Sequence, residues 1–191
     1  VIHYKEIDST NNEAKKLINN RKDLPYWIIA DKQTSGRGRK DRFWDSPIGN
    51  FMGTYVLSIK GEKRILPQLS FVSALAIHST ITEFRHEGSS EVMLKWPNDI
   101  IINNKKCGGI LIENIFSKNN LFHTIAIGIG VNLKSSPLHS TFPSGNILQE
   151  FNTNIERDEF LNSINKNILK FLSLWDGGSN YKYILNTWKS K

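Results

Sequence analysis

The chain has 191 residues, 39% of them hydrophobic and 23% charged, as is typical of one folded domain rather than of a disordered segment. Lysine and arginine number 25 against 18 aspartates and glutamates, and the net charge of +7 fits either dispersed surface lysines or a site for an acidic partner. The longest apolar run, 125–131, is much shorter than the roughly 20 residues of a membrane-spanning helix, so no membrane partner is expected. Cys107 is the only cysteine, which excludes an internal disulfide and predicts a cytoplasmic protein.

The first third of the chain predicts a helix, a strand and a long loop. Thr10 and Glu13 have the spacing of a capping box, and apolar residues follow at helical spacing over 14–18. The aromatic and β-branched run 26–30 predicts a strand. Periodicity then disappears over 33–50, where glycines and charges cluster. Structureless loops of that length are usually functional, so this loop is the first candidate for a site.

The rest of the chain predicts strands joined by hairpins and flanked by helices. The predicted strands cover 51–60, 91–96, 100–103, 109–117 and 121–131, and the predicted amphipathic helices cover 65–84 and 157–175. Asparagine pairs at 103–104 and 119–120 predict tight turns, because Asn tolerates positive φ. The order of elements predicts an α+β (mixed α/β) domain, with helices packed on a mixed, largely antiparallel sheet.

A cationic segment lies inside the predicted loop. Between Lys32 and Arg42 there are five cations and one anion, and Gly-Arg-Gly-Arg-Lys occupies 36–40. Glycine permits close backbone approach to a ligand, and arginine offers bidentate hydrogen bonds to carboxylates and phosphates. The spacing matches neither a P-loop nor a dinucleotide-binding fingerprint. These residues alone leave open an exposed basic turn, a loop that binds phosphate or an adenylate, and an RNA-binding patch.

A second cluster, Lys95-Trp96-Pro97-Asn98-Asp99, ends a predicted strand. Pro97 stops sheet pairing, which would leave Lys95 near the end of the sheet. A lysine there could hold an anionic oxygen as a point charge, although an ordinary turn explains the same five residues.

Glycines also interrupt two apolar strands, at 108–109 and at 128–130. Glycine weakens a strand unless a bulge or a close ligand needs the space. The two strands together could form a narrow slot for a flat, mostly apolar ligand, or each could simply carry a bulge. The five histidines are dispersed, and no cluster of side chains has metal-ligand spacing.

Taken in order, these segments resemble the catalytic domain of the biotin protein ligases (biotin–acetyl-CoA-carboxylase ligases). The resemblance covers most of 3–175. The matching residues are Ser9-Thr10-Asn11, Gln33-Thr34-Ser35-Gly36-Arg37-Gly38-Arg39, Trp44-Asp45-Ser46-Pro47, Lys95-Trp96-Pro97-Asn98-Asp99, Gly109-Ile110-Leu111-Ile112-Glu113 and Gly128-Ile129-Gly130-Val131-Asn132.

The resemblance implies a fold related to class II aminoacyl-tRNA synthetase catalytic domains and an AMP-forming reaction in two steps. The carboxylate of biotin attacks the α-phosphorus of Mg-ATP and gives biotinyl-5′-AMP and pyrophosphate. The ε-amine of one lysine on a biotin carboxyl carrier domain then displaces AMP and forms an amide. ATP and Mg²⁺ are the implied cofactors, biotin is the substrate, and the carrier domain of a carboxylase is the protein partner.

The resemblance also implies roles for individual residues. Lys95, Arg37 and Arg39 are the expected catalytic residues, because cations that neutralise both reacting anions lower the barrier. The expected biotin site comprises Ser9, Thr10, Asn11, Gln33, Gly36, Arg37, Gly38, Arg39, Lys95, Gly109, Ile110, Leu111, Gly128 and Gly130. The expected ATP site comprises Arg39, Arg42, Trp44, Lys95, Asn98 and Asn132. No cluster of side chains is expected to hold a metal, and Mg²⁺ would arrive with ATP.

The expected catalytic domain covers 1–175 and is followed by a C-terminal tail over 176–191. Neither the N-terminal helix-turn-helix nor the small C-terminal β-barrel of some relatives is expected, so DNA is not an expected partner, and a homodimer is possible. Two other functions compete with biotin ligation. One is a lipoate–protein ligase or octanoyltransferase, which would share the fold, and the other is a basic RNA-binding module that uses the cationic segment.

Overall fold

The computed structural model of the chain describes residues 1–18, 23–137 and 142–191, apart from the side chain of Asp41. Within these ranges the chain forms seven strands and five α-helices. The strands are β1 (Ile2–Ile7), β2 (Tyr26–Gln33), β3 (Phe51–Lys60), β4 (Val92–Lys95), β5 (Asp99–Ile102), β6 (Lys105–Lys118) and β7 (Phe122–Val131). The helices are α1 (Thr10–Leu17), α2 (Leu69–Glu83), α3 (Ile147–Phe151), α4 (Arg157–Trp175) and α5 (Tyr181–Lys189).

All seven strands belong to one sheet with the order β1-β2-β3-β7-β6-β5-β4. The β1–β2 pair is parallel, and the other neighbouring pairs are antiparallel. The predicted α+β class with a mixed, largely antiparallel sheet is therefore confirmed. The asparagines at 103–104 and 119–120 adopt positive φ and connect β5 to β6 and β6 to β7, as their sequence predicts.

The two faces of the sheet are covered differently. The main core lies on the face that carries α2 and α4, and it contains alternate strand residues such as Ile127 and Ile129. A smaller core on the opposite face is formed where Ala14 of α1 packs on β2, β3 and β7. Because α1 is short, the strand residues beyond its N-terminus remain accessible to the loop 33–50. The candidate site lies there.

Helix α2 differs from its prediction as an amphipathic helix over 65–84. The segment Lys63–Gln68, which contains Pro67, is a 3₁₀ helix, and the α-helix begins only at Leu69. Its buried residues lie on all sides, because the helix is packed between the sheet and helices α4 and α5. The stretch Lys63–Glu83 is long enough to cross a bilayer, and an 18-residue window within it has a mean hydropathy of 1.3, but 61% of that window is buried inside the fold.

The segment 176–191, expected as a C-terminal tail, is not an extended chain. This segment contains helix α5, which packs on α2 through the fully buried Ile184 and through edge contacts of Tyr181 and Trp188 with Phe71. Its apolar stripe spans little more than two turns, too short a pattern to stand out from sequence alone. The sequence also does not predict the edge strand β1 or the five-residue helix α3, because neither segment shows a clear hydrophobic period.

The capping box at the start of α1 is absent as well. Ser9, not Thr10, is the N-cap, and its side chain makes no capping hydrogen bond. The carboxylate of Glu13 instead accepts a hydrogen bond from the Tyr4 hydroxyl. The amide of Thr10 donates to the side-chain oxygen of Gln33 at 2.8 Å, so a residue of β2 supplies the cap that the local sequence was expected to supply.

Candidate active site

Residues from five parts of the chain meet on the α1 face of the sheet. They are the first turn of α1, the end of β2, the loop 33–50, and the glycine-bearing centres of β6 and β7. In β6, Gly109, Leu111 and Glu113 alternate onto this face, and in β7 Gly128 and Gly130 do so opposite them. The predicted long loop is confirmed, and it crosses this part of the sheet.

A half-buried carboxylate organises one side of the site. Glu113 Oε2 accepts hydrogen bonds from Arg37 at 2.7 Å and from the Asn11 amide at 2.8 Å, and Oε1 accepts one from Lys15 at 2.7 Å. Burial alone would raise the pKa of Glu113, but the hydrogen bonds from Lys15 and Asn11 and the charge of Arg37 outweigh it, so its pKa is lowered. Glu113 is ionised at neutral pH and fixes Arg37 by an ion pair.

A network of polar side chains lies next to this carboxylate on the same face of the sheet. The Thr54 hydroxyl is 2.8 Å from that of Thr10 and 2.6 Å from Asn11 Oδ1. Gln33 accepts from the amide and hydroxyl of Thr10 and donates to Ser46 Oγ at 2.9 Å. Donors and acceptors of α1, β2 and β3 are thereby held in one network beside the sheet, which can recognise a compact polar group.

The glycines of β6 and β7 accommodate protein side chains. A Cβ on Gly130 would lie 2.6 Å from Cε2 and Nε1 of Trp44, and one on Gly109 would lie 3.1 Å from Cζ3 of the same indole. A Cβ on Gly128 would clash with Asn11 Oδ1. The glycines are therefore required for close approach, as the sequence suggests, but it is the indole of Trp44 and the amide of Asn11 that rest on them. A ligand slot on this face would be bounded by these two side chains.

The cationic segment forms a hairpin-like turn. Trp44 donates its backbone N–H to Gly36 O at 2.9 Å, and Gly38 donates to Arg42 O at 2.7 Å. Arg39 is exposed, and its guanidinium contacts Asn98 Oδ1 at 3.3 Å. This contact brings the turn against the predicted Lys95–Asp99 cluster.

Two cations at this junction differ from Arg37. No carboxylate among the described residues pairs with Arg39 or with Lys95. Lys95 is exposed at the end of β4, and its Nζ lies 5.6 Å from the centroid of the Phe142 ring. Arg42 is also exposed. These positive charges are therefore available to an anionic ligand.

Two predicted site residues have surroundings that differ from the expectation. The Ile110 side chain belongs to the main core on the opposite face of the sheet, so only its backbone, which exchanges hydrogen bonds with Asn98, adjoins the site. Asn132 is buried, and its amide donates to Gly145 O at 3.0 Å. The side chain of Ile110 cannot line the slot, because neighbouring strand residues alternate between faces.

Cavities found elsewhere carry none of the predicted site residues. One of about 550 Å³ lies beyond the loop and is lined by Lys5, Asp31, Ile48, Gly49, Asn50, Lys134, Glu156, Arg157 and Asp158. Its charges are largely paired with each other, Arg157 with Asp31 and Lys134 with Glu156.

No group of three or more potential metal ligands exists among 1–18, 23–137 and 142–191. The buried Cys107 has a pKa raised to about 12 by desolvation, so it is a thiol at neutral pH and neither a ready ligand nor a nucleophile.

The model of the biotin/lipoate A/B protein ligase family matches residues 4–132, well over half of the chain. The chain belongs to this family. The match includes all the motifs of the candidate site, from Ser9 to Asn132. Structural similarity supports the same assignment of the fold. A biotin protein ligase from Aquifex aeolicus in complex with biotin and ATP superposes with a TM-score of 0.78 at 27% identity, covering 98% of this chain and 75% of that one.

Further similarities are to proteins that are named biotin ligases. The biotin–[acetyl-CoA-carboxylase] ligase of Paracoccus denitrificans is 42% identical over 130 residues, which are 68% of this chain and 53% of the relative. The bifunctional ligase/repressor BirA of Bacillus subtilis is 36% identical over 138 residues, 72% of this chain and 41% of the relative. The chain thus spans about half or less of these relatives. A Leishmania major biotin protein ligase in complex with biotinyl-5-AMP, 24% identical with a TM-score of 0.83 over 99% of this chain and 79% of that one, shares the fold.

Sequence reasoning missed three residues that the structure brings into the site. Glu113 lies in the matching segment 109–113 but has no expected role, and the expected site residues include neither Thr54 nor Lys106, whose Nζ pairs with Asp99 and lies 5.5 Å from the centroid of the Trp44 ring. Glu113 follows Gly109 and Leu111 at the strand period, so alternation could have placed it on the same face. Thr54 and Lys106 carry no such signal, because their roles depend on neighbours far away in the chain.

Proposed function

We propose that this protein is an ATP-dependent biotin–protein ligase, which forms biotinyl-5′-AMP and then transfers the biotinyl group to a lysine of a carrier domain. One observation carries the proposal. A hydrogen-bonding network around Thr10, Gln33 and Asn11 lies on the same sheet face as Arg39, which is exposed and has no carboxylate partner among the described residues. The polar end suits a ureido ring, and the cations suit a carboxylate and a triphosphate.

The first step requires two anions to meet. Biotin carboxylate must approach the α-phosphorus, pyrophosphate must leave, and negative charge accumulates on the phosphoryl oxygens. Arg39 and Lys95, on segments joined by the Arg39–Asn98 contact, would lower the energy of that charge without losing an existing ion pair. Arg42 and Asn98 flank them and would bind the nucleotide together with Asn132.

Arg37 has a different proposed task. Its ion pair with Glu113 orients the side chain along the α1 face of the sheet. Its buried Nε has no hydrogen-bond partner within the described part of the chain. Buried donors are normally satisfied, so a ligand oxygen at this position would complete the site. We assign Arg37 to holding biotin, together with Ser9, the backbone of Gly36 and Gly38, and Leu111.

The second step needs an amine and the exclusion of water. The carrier lysine must be deprotonated to attack the acyl carbon, after which AMP leaves with its electron pair. The loop 33–50 crosses the site and carries Trp44 against the sheet, so it can shield the acyl-adenylate from hydrolysis. The fold would supply positioning and charge, and Mg²⁺ would enter on the phosphates of ATP, since such sites usually use few protein carboxylates.

The proposal extends to the setting of the reaction. We infer a cytoplasmic enzyme whose partner is the carrier domain of a carboxylase. The expectations that it does not bind DNA and that it can form a homodimer remain predictions, although four relatives are named bifunctional ligase/repressors.

Pyrophosphate exchange tests the acid that is activated. The protein should exchange labelled pyrophosphate into ATP with biotin, and only weakly with lipoic or octanoic acid at equal concentration. Intact-mass measurement of a biotin carboxyl carrier domain should then show one biotinyl group, added only when ATP is present. Exchange that prefers lipoic or octanoic acid would contradict the proposal and favour a lipoate–protein ligase or octanoyltransferase. Salt-sensitive binding of generic RNA without any exchange would favour the nucleic-acid alternative.

A further inference from the structure

Lys106 makes two contacts within the site. Its Nζ is 2.6 Å from Asp99 Oδ1, and it lies 5.5 Å from the centroid of the Trp44 ring. Beneath that ring are Gly109 and Gly130, which lie directly opposite each other in the β6–β7 ladder. The indole therefore packs on the backbone of two strands and lies close to a cation that is fixed by a carboxylate.

The backbone around Lys106 is itself tightly held. Its N–H donates to Pro143 O at 2.8 Å, and its carbonyl accepts from the Gly145 N–H at 3.1 Å. Asp99 directly follows Asn98, the residue that contacts Arg39. The ion pair thus lies at the junction of β5, β6 and the cationic turn, where it can link the position of Trp44 to the strands.

The neighbouring lysine shows that this arrangement is specific. Lys105 pairs with Glu150 at 2.8 Å and has no aromatic contact in the described ranges. It has the same charge, a similar ion pair and an adjacent place in β6, but it lies away from Trp44. Lys105 is therefore a matched control.

We propose that Lys106, anchored by Asp99, is a positioning residue that fixes the indole of Trp44 as a wall of the ligand site. The inference rests on the proposed function for the identity of the ligand, but not for the orientation of Trp44. A cation over an indole face stabilises one ring orientation, and the glycines stabilise the same orientation by close contact. Without the cation, the ring would be positioned only by its contacts with the glycines and by its own backbone.

Fluorine NMR tests the orientation independently of activity. With 5-fluorotryptophan incorporated, the five tryptophans should give five resonances, and Trp44→Phe identifies that of Trp44. Lys106→Met should shift and broaden this resonance alone, Lys106→Arg should restore it, and Lys105→Met should leave it unchanged. An unmoved Trp44 resonance in Lys106→Met would overturn the inference.

Steady-state kinetics tests the consequence for the ligand. Lys106→Met should raise KM for biotin or ATP by roughly three- to tenfold, the range that loss of one cation–π contact supports, with a smaller effect on kcat. Lys106→Arg should recover most of the loss, and Lys105→Met should behave as wild type. A moved resonance with an unchanged KM would show that Trp44 is not a wall of the ligand site. Absence of biotin-dependent exchange in the wild type would refute the proposed function, and the NMR result alone would then decide whether Lys106 positions Trp44.

Discussion

Arg37 and Arg39 are two residues apart in the cationic turn, yet they have different surroundings. Arg37 is partly buried and paired with Glu113, whereas Arg39 is exposed and contacts only the neutral Asn98 through its side chain in the described structure. A paired guanidinium contributes little additional positive field, because its partner cancels most of it. The two arginines, equivalent in the sequence motif, therefore differ in the structure: Arg37 is held in an ion pair, and the charge of Arg39 is available to an anionic ligand.

Arg39→Ala should reduce biotin-dependent pyrophosphate exchange by roughly a hundredfold, the scale of losing one charge contact to the transition state. The free energy of unfolding should change by less than about 0.5 kcal/mol, because an exposed side chain is removed. Exchange assays and urea unfolding on the same preparation measure both quantities. Wild-type exchange in this variant would contradict the catalytic assignment.

Lys95→Ala should also lose more than about tenfold in exchange rate. Its side chain is exposed and has no carboxylate partner among the described residues, so the variant should keep its far-ultraviolet circular dichroism. Lys170→Ala, at an exposed lysine of α4 on the opposite face of the sheet, is the control. If Lys95→Ala proves unfolded instead, the lysine has a structural role and the turn interpretation of 95–99 gains support.

Gly130→Ala tests whether the indole of Trp44 packs on Gly130. The new Cβ would lie 2.6 Å from the indole, and such overpacking costs about 1–3 kcal/mol. In a Trp44→Ala background the same substitution should cost much less, since the clashing ring is gone. Urea unfolding of the two single variants and the double variant gives the coupling energy. Additive effects would show that Trp44 does not rest on Gly130 in solution.

At the scale of elements, the short helix α1 and the length of the 33–50 loop define where the site can be. Helix α1 covers only part of its sheet face, and the loop crosses the part that remains. On the other face, α2 is enclosed by α4 and α5. Helix α5 is thus part of the main core, and its contribution can be measured separately from the site.

Ile184→Ala should lower the free energy of unfolding by about 2–5 kcal/mol, because Ile184 is fully buried against the core. Tyr183→Ala, at a neighbouring position that is 56% exposed, should change it by no more than about 0.5 kcal/mol. Equilibrium urea unfolding distinguishes the two. Equal, small effects would mean that the C-terminal segment does not pack as a helix.

At the scale of the whole molecule, stability should fall in two stages as the pH is lowered. Desolvation, followed by the charges of Lys191 and Arg85, lowers the pKa of the buried His78 below its ordinary 6.5, against the opposing hydrogen bond to Val92 O. The unfolded chain therefore takes up this proton at higher pH than the folded chain, and stability declines as the pH drops below about 6.5.

Carboxylates produce the second stage. The pKa values of Asp8, Glu83 and Glu113 are lowered because their hydrogen bonds and neighbouring cations outweigh burial. Their stabilisation is complete above the ordinary carboxyl range and is lost as the pH falls below about 4. Urea midpoints measured from about pH 8 to pH 3 should show both stages. His78→Gln, which retains an amide donor for Val92 O, should remove the upper stage only, and an unchanged upper stage would contradict this account.

Much of the fold was predictable because its signals are local. The strand 51–60, the helix 157–175 and the Asn-Asn hairpins depend on hydrophobic period and turn chemistry within a few residues, and the structure matches them. The enclosed α2 and the packed α5 were misread, because a helix buried on all sides loses its apparent amphipathicity and a two-turn helix has too few residues to show one.

The sequence alone determined the family, the position of the cationic loop and which residue types could perform adenylate chemistry, since each depends on order and spacing along the chain. Only the tertiary structure decided that Glu113 pairs with Arg37, that Trp44 lies on Gly109 and Gly130, and that Ile110 faces the opposite core. These outcomes depend on contacts between strands, helix and loop that are far apart in sequence. Their geometry is created by sheet register and packing, which no local pattern specifies.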